Sequence, residues 1–203
     1  ISNYSRVDDA IGFSMTVDGR TTYTLTFPTA LKTWQYSFNT GLWNEQESFG
    51  LGRWRVDGAL AAYGKTLVWD NTTNRIGEMD TDVNDEWGDQ IVWKIVSAPV
   101  HNGNKWLFHN SIYLDFEMGV ETQTDASTGA DRDALVMIRW SNDGKNWGPI
   151  YQRSLGAIGN YSDRISINQN LGRAKNRIYE LSISDPVKRH FIGAEGEIQV
   201  GSN

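Results

Sequence analysis

The sequence contains no cysteine, and this absence excludes several kinds of structure and chemistry. Without a thiol the chain can form no disulfide, no thiolate nucleophile and no cysteine-ligated zinc site. Histidine is also scarce, since His101, His109 and His190 are the only three. None of them belongs to an HxxxH or HExxH pair that would bring two imidazoles to one metal. We therefore expect the protein to need no metal and no cofactor.

Longer signals are missing as well. No stretch approaches the ~20 apolar residues of a membrane-spanning helix, and residues 1–9 lack the basic and apolar regions of a signal peptide. The sequence has no Gly-x-Ser-x-Gly elbow, no Walker loop and no Rossmann fingerprint. We expect a soluble protein that makes no membrane contact and is not an enzyme. Because the chain starts without Met, we also expect it to be a fragment or a processed product.

The excess of negative charge bears on nucleic-acid binding. The chain has 25 acidic and 19 basic side chains, which gives a net charge of −6. Affinity for DNA comes mostly from Lys and Arg side chains that neutralise phosphates, so this balance predicts no direct high-affinity DNA binding. A local basic patch at Arg173, Lys175 and Arg177 is the alternative, although three charges in a turn are more often a solvated loop.

Aromatic residues and glycine are abundant, with nine Trp, eight Tyr, seven Phe and twenty Gly, and this composition favours strands and tight turns. Residues 112–118 alternate, with Ile112, Leu114, Phe116 and Met118 on one face. Similar alternation occurs at 136–140 and 179–183. Turn signals recur between such stretches, as at Asp18-Gly19, Asn39-Thr40-Gly41 and Asn142-Asp143-Gly144. The pattern predicts an all-β chain of antiparallel hairpins.

Two of these hairpins look like copies of one unit. Residues 34–43 and 67–76 both read as an aromatic strand, a small polar turn and an apolar strand. This resembles the hairpin of kelch-type propeller blades, of which the chain would hold about four. We predict an antiparallel β-propeller-like domain of short hairpins, with a β-sandwich as the alternative. At this length we expect residues 1–203 to form a single β domain.

Residues 121–133 interrupt the pattern of strands. The segment reads ETQTDASTGADRD, and alanine is its only apolar residue type. A stretch without apolar anchors between two strong strands predicts a mobile loop.

Ser141, Asp143, Gly144 and Trp147 resemble the Asp-box, Ser-x-Asp-x-Gly-x-Thr-Trp, of sialidases and other propellers. The match has one residue too few between Asp143 and Trp147. In the Asp-box the Ser and Asp side chains bond backbone groups of the turn, and the Trp packs beneath it. We therefore predict a structural role for these four residues and assign no catalytic residue.

Two acidic groups suggest chemistry but have simpler explanations. Residues 80–86 carry Asp and Asn at alternating positions, as in a calcium loop. An EF-hand would need Gly in place of Asp85 and Glu in place of Ile91, so a solvated acidic loop fits better. Asp115 and Glu117 share a strand face and could form a glycoside-hydrolase pair. Polar residues on the wet face of a strand are the commoner explanation.

An ordered series of short motifs runs through nearly the whole chain. It comprises residues 23–28 (YTLTFP), 33–36, 42–45, 114–120, 138–144, 155–161, 171–172 and 184–187. In this order the motifs resemble the packaged-DNA stabilisation proteins of short-tailed double-stranded DNA phages, which form the tail hub beneath the portal. Members of that family are much longer, so the chain would be the C-terminal part. They often carry an extra Gly near Asp143-Gly144.

The resemblance implies a propeller-like fold and a structural role in the virion tail, with assembly in the host cytoplasm. It also implies a homo-oligomeric ring that contacts the portal adaptor ring above and the tail needle below. Because an acidic domain is poorly suited to gripping phosphate, we predict that the protein helps to close the portal channel and retain DNA through protein–protein assembly. Two alternatives remain: a carbohydrate-binding or glycan-hydrolysing domain of a tail or secreted protein, and a generic kelch-type interaction domain.

Overall fold

The computed structural model describes residues 1–119, 122–124, 127–161, 164–168 and 171–201. All the strand pairs among them are antiparallel, and no helix occurs in these ranges, so the predicted all-β class is confirmed. In the same ranges no helix is long and apolar enough to cross a membrane. Contacts divide the chain into two compact units, Ile1–Ile91 and Val92–Asn203. We call them the N-terminal unit and the C-terminal unit. The single domain expected from the sequence stays a prediction.

The N-terminal unit contains nine strands in three sheets. A four-stranded meander is followed by a three-stranded sheet and a short hairpin. In chain order the strands are β1 (Ile11–Val17), β2 (Arg20–Phe27), β3 (Lys32–Ser37), β4 (Leu42–Gln46), β5 (Val56–Ala62), β6 (Lys65–Asp70), β7 (Ile76–Glu78), β8 (Asp85–Glu86) and β9 (Asp89–Gln90). Both hairpins predicted from the repeat, at 34–43 and 67–76, form here as β3–β4 and β6–β7.

The core of the N-terminal unit is small. Trp54, Val56 and Val68 form its buried apolar cluster, and five partly buried residues pack against them: Phe13, Met15, Ala59, Met79 and Trp87. Phe27 is also buried but lies outside this cluster. In the meander Thr24, Thr26 and Thr33 are completely buried. The hydroxyls of Thr26 and Thr33 lie 3.0 Å apart, and Thr33 Oγ1 accepts the backbone N–H of Trp54 at 3.1 Å. Hydrogen-bonded threonines therefore occupy positions that apolar side chains usually fill.

The C-terminal unit contains eleven strands among its described residues. One sheet has the order β10-β19-β15-β16, with β11 also paired to β19, and in a second sheet β17, β18 and β20 all pair with β12. A short hairpin, β13–β14, is separate. The strands are β10 (Trp93–Val96), β11 (Val100–His101), β12 (Leu107–Phe116), β13 (Thr122–Thr124), β14 (Asp131–Asp133), β15 (Leu135–Ser141), β16 (Tyr151–Ser154), β17 (Ile165–Ile167), β18 (Arg173–Ala174), β19 (Asn176–Ile183) and β20 (Phe191–Val200).

The two large sheets of the C-terminal unit share one core. Fourteen of its described residues form a single buried cluster: Ile112, Leu114, Phe116, Met118, Ala134, Val136, Ile138, Leu155, Ile165, Ile167, Leu171, Leu181, Ile183 and Val187. The predicted inward face of 112–118 is confirmed, because all four of its apolar residues are buried. Two sheets that bury their faces against each other make a β-sandwich. This unit therefore adopts the β-sandwich, the fold named as the alternative to the propeller-like arrangement.

Part of the predicted mobile loop, 121–133, is ordered as a hairpin. Gln123 in β13 pairs with Arg132 in β14. The Arg132 guanidinium also donates to both carboxylate oxygens of Asp185, at 2.9 and 2.5 Å. Residues 121, 125 and 126 lie outside the described residues, and the mobility of the loop stays a prediction.

Candidate functional site

The four residues of the Asp-box-like turn come together at the end of β15. Ser141 Oγ donates to the Asp143 carboxylate at 2.9 Å and accepts the backbone N–H of Gly144 at 2.9 Å. The same carboxylate accepts the backbone N–H groups of Asn146 at 2.7 Å and Lys145 at 2.8 Å. These backbone donors hold the pKa of the Asp143 carboxyl far below its usual range. The Asp143 carboxylate thus accepts its hydrogen bonds from groups of the turn itself and stabilises the turn.

Trp147 closes the turn by bridging back to Ser141. Its ring is partly buried and lies under the Arg139 guanidinium, at 4.9 Å from guanidinium carbon to ring centroid. Arg139 also donates to Glu180 across the β15–β19 pair at 2.6 Å. The arrangement ties the turn to two strands of the sandwich, and the structural role predicted for Ser141, Asp143, Gly144 and Trp147 remains the interpretation that this geometry supports.

The predicted basic patch is divided by the structure. Arg177 is only 2% exposed, and it donates to Asn142 Oδ1 at 2.9 Å and to the carbonyl of Leu171. Its guanidinium carbon lies 5.7 Å from the centroid of the Trp140 ring. Arg177 is therefore a core residue that holds the turn from below. Alternation along β19 places Arg177 on the same face of the strand as Leu181 and Ile183. Its burial could have been predicted from this alternation.

Arg173 and Lys175 stay on the surface. The Arg173 guanidinium carbon and the Lys175 ammonium lie 4.5 Å and 5.4 Å from the centroid of the Trp106 ring, and the Trp106 side chain is itself exposed. Lys175 also donates to Asn104 at 3.1 Å. Neither cation forms an ion pair within the described part of the chain. They make a small basic and aromatic patch on an otherwise acidic protein.

His109 is buried beside Arg177. Its Nδ1 atom lies 2.7 Å from the Tyr179 hydroxyl. Burial, together with the charge of Arg177, lowers the pKa of His109 to about 4, so the imidazole is neutral near pH 7. In the described ranges no three His, Asp or Glu side chains gather into a group that could hold a metal.

Asp115 lies on the wet side of β12 and Glu117 directly follows the strand, and each is held in ion pairs. Asp115 accepts two hydrogen bonds from Arg164, at 2.5 and 2.8 Å, and Glu117 lies 3.0 Å from the ammonium of Lys188. These partners lower the pKa of both carboxyls. A glycosidase acid needs a raised pKa, so neither carboxyl has the electrostatics of a general acid.

Sequence reasoning missed an exposed cluster of rings on the β3–β4 hairpin. Phe38, Leu42 and Trp43 are each more than half exposed, with relative accessibilities of 60%, 62% and 51%. The Tyr36 ring contacts Phe38 and Trp43, with centroids 5.3 and 5.2 Å apart. We call the three aromatic residues, Tyr36, Phe38 and Trp43, the ring cluster. Contiguous exposed apolar groups of this kind mark interaction sites on soluble proteins.

Comparison with known families supplies the decisive observation. The family model described as bacteriophage P22 Gp10, beta-sandwich, matches residues 92–199. This range is more than half of the chain, and it coincides with the C-terminal unit and its two-sheet core. The chain belongs to the P22 Gp10 family. It is a structural protein of the phage virion, of the tail-hub type, and works among other virion proteins. No curated protein matches this chain.

Proposed function

We propose that this Gp10-family protein forms part of the phage tail hub, where it helps to close the portal channel and retain packaged DNA. The observation that carries the proposal is the family match across the C-terminal unit. The sandwich there has a buried core of fourteen described residues and a hydrogen-bonded turn at Ser141 and Asp143, as a structural block requires. The proposed role has no catalytic step, and the carboxylates with the strongest claim to chemistry are engaged in ion pairs or in the Asp-box-like turn.

Retention by blocking the channel agrees with the distribution of charge. Many surface cations are paired with carboxylates, including Lys32 with Glu45, Lys65 with Glu78 and Arg164 with Asp115. Paired cations have little capacity to neutralise phosphates, and the net charge is −6. The protein would then act by completing a closed assembly and would not hold the duplex itself.

The partners that we propose are further copies of the same chain in a ring, the portal adaptor ring and the tail needle. The ring cluster offers these neighbours an apolar surface, since aromatic side chains are enriched in protein interfaces. The protein would assemble in the host cytoplasm and end in the virion tail.

The test is to locate the protein in purified particles. We expect quantitative mass spectrometry to detect it at several copies per particle, and electron microscopy of the tail to place it next to the portal. Detection only in the unassembled fraction of the lysate would contradict the proposal. Particles from a phage without the gene provide the matched control.

Carbohydrate binding is a second candidate because the ring cluster is exposed. However, the Tyr36 ring is tilted by 49° to Trp43 and by 83° to Phe38, so the rings do not form one flat platform for a sugar chain. A glycan array with the purified protein separates the two functions. Under the assembly proposal we expect no binding, whereas binding that Trp43→Ala abolishes would favour the carbohydrate function.

A further inference from the structure

A cavity of about 420 Å³ opens in the N-terminal unit, next to the β8–β9 hairpin. Its inner wall is apolar and includes the whole of the small core, Trp54, Val56 and Val68, together with Met79 and Trp87. The volume is within the ~300–1,000 Å³ range of ligand-binding pockets. The core of this unit is therefore open to a ligand on one side.

The remaining lining of the cavity is strongly acidic. Five carboxylates line it and no Lys, Arg or His does, all of residues 1–91 being described: Glu47, Glu78, Asp80, Asp85 and Glu86. Lys65 is paired with Glu78 from outside the lining. Among the residues that the structure describes, Asp80, Asp85 and Glu86 form no ion pair. The Arg55 guanidinium lies 5.6 Å from the centroid of the Trp87 ring, outside the lining, and is paired with Asp89. The carboxylates of the lining therefore favour an occupant that carries positive charge beside an apolar body.

The rim is held in place by specific bonds. Trp54 Nε1 donates to Glu86 Oε1 at 2.9 Å, which fixes that carboxylate beside the aromatic wall. Asp85 accepts the backbone N–H of Gly88 at 2.7 Å and closes the β8–β9 turn. Trp87 and Gly88 both have positive φ, 55° and 90°, as a two-residue hairpin turn of type I′ requires.

The position of the Trp87 ring depends on a glycine. A Cβ at Gly77 would come within 2.7 Å of the Trp87 ring, so only glycine lets the ring lie against β7 at this point. Left-handed backbone is uncommon for a bulky residue such as Trp. The chain thus adopts an unfavourable conformation at Trp87 that presents an indole to the cavity next to the fixed Glu86 carboxylate.

We propose that this acid-rimmed cavity receives a lysine side chain from a basic segment of another virion protein. The methylene stem would lie against Trp54, Met79 and Trp87, and the ammonium group would reach the rim carboxylates. A bare divalent cation fits less well, because no three carboxylates converge. The inference rests on the proposed function, since assembly among virion proteins supplies the partner.

The test is a fluorescence-anisotropy titration of the purified protein with a labelled lysine-rich peptide. The same peptide with acetylated lysines, which keeps the stem but lacks the charge, is the matched ligand control. We expect the lysine peptide to bind at least about tenfold more tightly than the acetylated one and to weaken with salt. Equal binding of the two peptides, or no binding of either, overturns the inference.

Variants assign the binding to the cavity. Asp80→Asn with Glu86→Gln removes two charges but keeps acceptors for the Asp82 and Trp54 N–H groups, so the fold is preserved. We expect about tenfold weaker binding of the lysine peptide. Asp8→Asn with Asp131→Asn changes the net charge equally at exposed positions outside the cavity, and we expect no effect. Similar losses in both double variants overturn the inference.

Two further arms separate the possible outcomes. If n-butylamine binds as tightly as the peptide, the cavity is a receptor for small amines and the partner-protein inference is wrong. In a separate experiment, the Asp80→Asn, Glu86→Gln variant is tested for incorporation into particles. If the cavity binds a partner protein, we expect fewer copies of the variant than of the wild-type protein in each particle. Normal incorporation of this variant overturns the inference but leaves the proposed function intact, whereas absence of the wild-type protein from particles contradicts the proposed function itself.

Discussion

The two units of the chain bury their surfaces in different ways. The C-terminal unit has fourteen buried core residues among those described, drawn from two facing sheets. The core cluster of the N-terminal unit has three, with Phe27 buried apart from it, and this unit buries threonines where the C-terminal unit buries Ile, Leu and Val. Each fully buried aliphatic side chain contributes about 1.5–3 kcal/mol, so the two cores differ greatly in hydrophobic stabilisation.

This difference indicates a division of roles. The C-terminal unit can be stable by itself, because its sheets cover each other's apolar faces. In the N-terminal unit the ring cluster is exposed and the acid-rimmed cavity opens onto the core. A partner that binds only the folded unit would add to its stability by mass action. We therefore expect the N-terminal unit to be the weaker one in the isolated protein.

The largest effect is expected from truncating the sandwich core. Leu114 is 1% exposed in the C-terminal unit, and Leu114→Ala should cost about 2–5 kcal/mol of unfolding free energy. Leu60, in the N-terminal unit, is 60% exposed, and Leu60→Ala should change stability by less than about 0.5 kcal/mol. Urea unfolding measures both variants. Equal costs would show that the sandwich does not depend on its core.

A smaller loss is expected at the Asp-box-like turn. Trp147 is partly buried, so Trp147→Ala should cost about 2–3 kcal/mol, less than the ~3–5 kcal/mol of a fully buried aromatic residue. Asp143→Ala should cost less than the Trp change. Urea unfolding gives both values. A Trp147→Ala protein with unchanged stability but lost glycan binding would contradict the structural role of the turn.

The pH dependence of stability should distinguish the two units. All three histidines lie in the C-terminal unit, and burial lowers the pKa of His109 to about 4, against about 6.5 when unfolded. A group with a depressed pKa is protonated more readily in the unfolded chain. Stability is therefore complete above pH 6.5 and falls as the pH drops from 6.5 towards 4.

We expect His109→Leu to remove this decline of the C-terminal unit, measured by urea unfolding at pH 7.5, 6 and 5. The N-terminal unit, which has no histidine, should show little change over the same interval. His101→Leu is the matched control, because His101 is exposed in the same unit, and it should leave the decline in place. An unaltered decline in His109→Leu would assign the effect to another group.

The smallest effect is expected with DNA. We predict no detectable affinity for duplex DNA near physiological salt, weaker than the roughly 10⁻⁴ to 10⁻⁶ M of ordinary non-specific binders. Arg173→Gln with Lys175→Gln should therefore change nothing in an anisotropy titration at two salt concentrations. Micromolar binding that this double variant abolishes would identify the patch of Arg173, Lys175 and Trp106 as a DNA contact. It would favour a protein that holds the duplex over one that blocks the channel.

Local features of the fold could be predicted from the sequence. Alternation located β12 and its inward face, and Asp-Gly located the β1–β2 turn, where Asp18 and Gly19 both have positive φ. The choice between a propeller and a sandwich could not be predicted from the sequence, because it depends on pairings between strands that are far apart in the chain. β12 pairs with β20 between 75 and 93 residues later, from Phe116 with Phe191 at one end to Leu107 with Val200 at the other. Hairpin signals contain no information about such pairings.

The candidate surfaces were harder to predict for a related reason. In β2 threonine alternates with Tyr23 and Leu25, so the pattern alone assigns the more apolar set to the core. The structure buries the threonines instead. Likewise the acidic residues at 80–86 were interpreted as a solvated loop, whereas Glu86 is fixed by Trp54, 32 residues earlier in the chain. Such a contact is visible only in the folded unit.

The most direct test of the proposed role is the DNA content of particles assembled without this protein. Heads should fill normally and then lose their genomes, so nuclease-protected DNA per particle should fall well below that of particles complemented with the wild-type protein. Complementation with Leu60→Ala, a surface change, should restore full retention. Particles that lack the protein yet keep their full DNA content after purification would contradict a role in closing the portal channel.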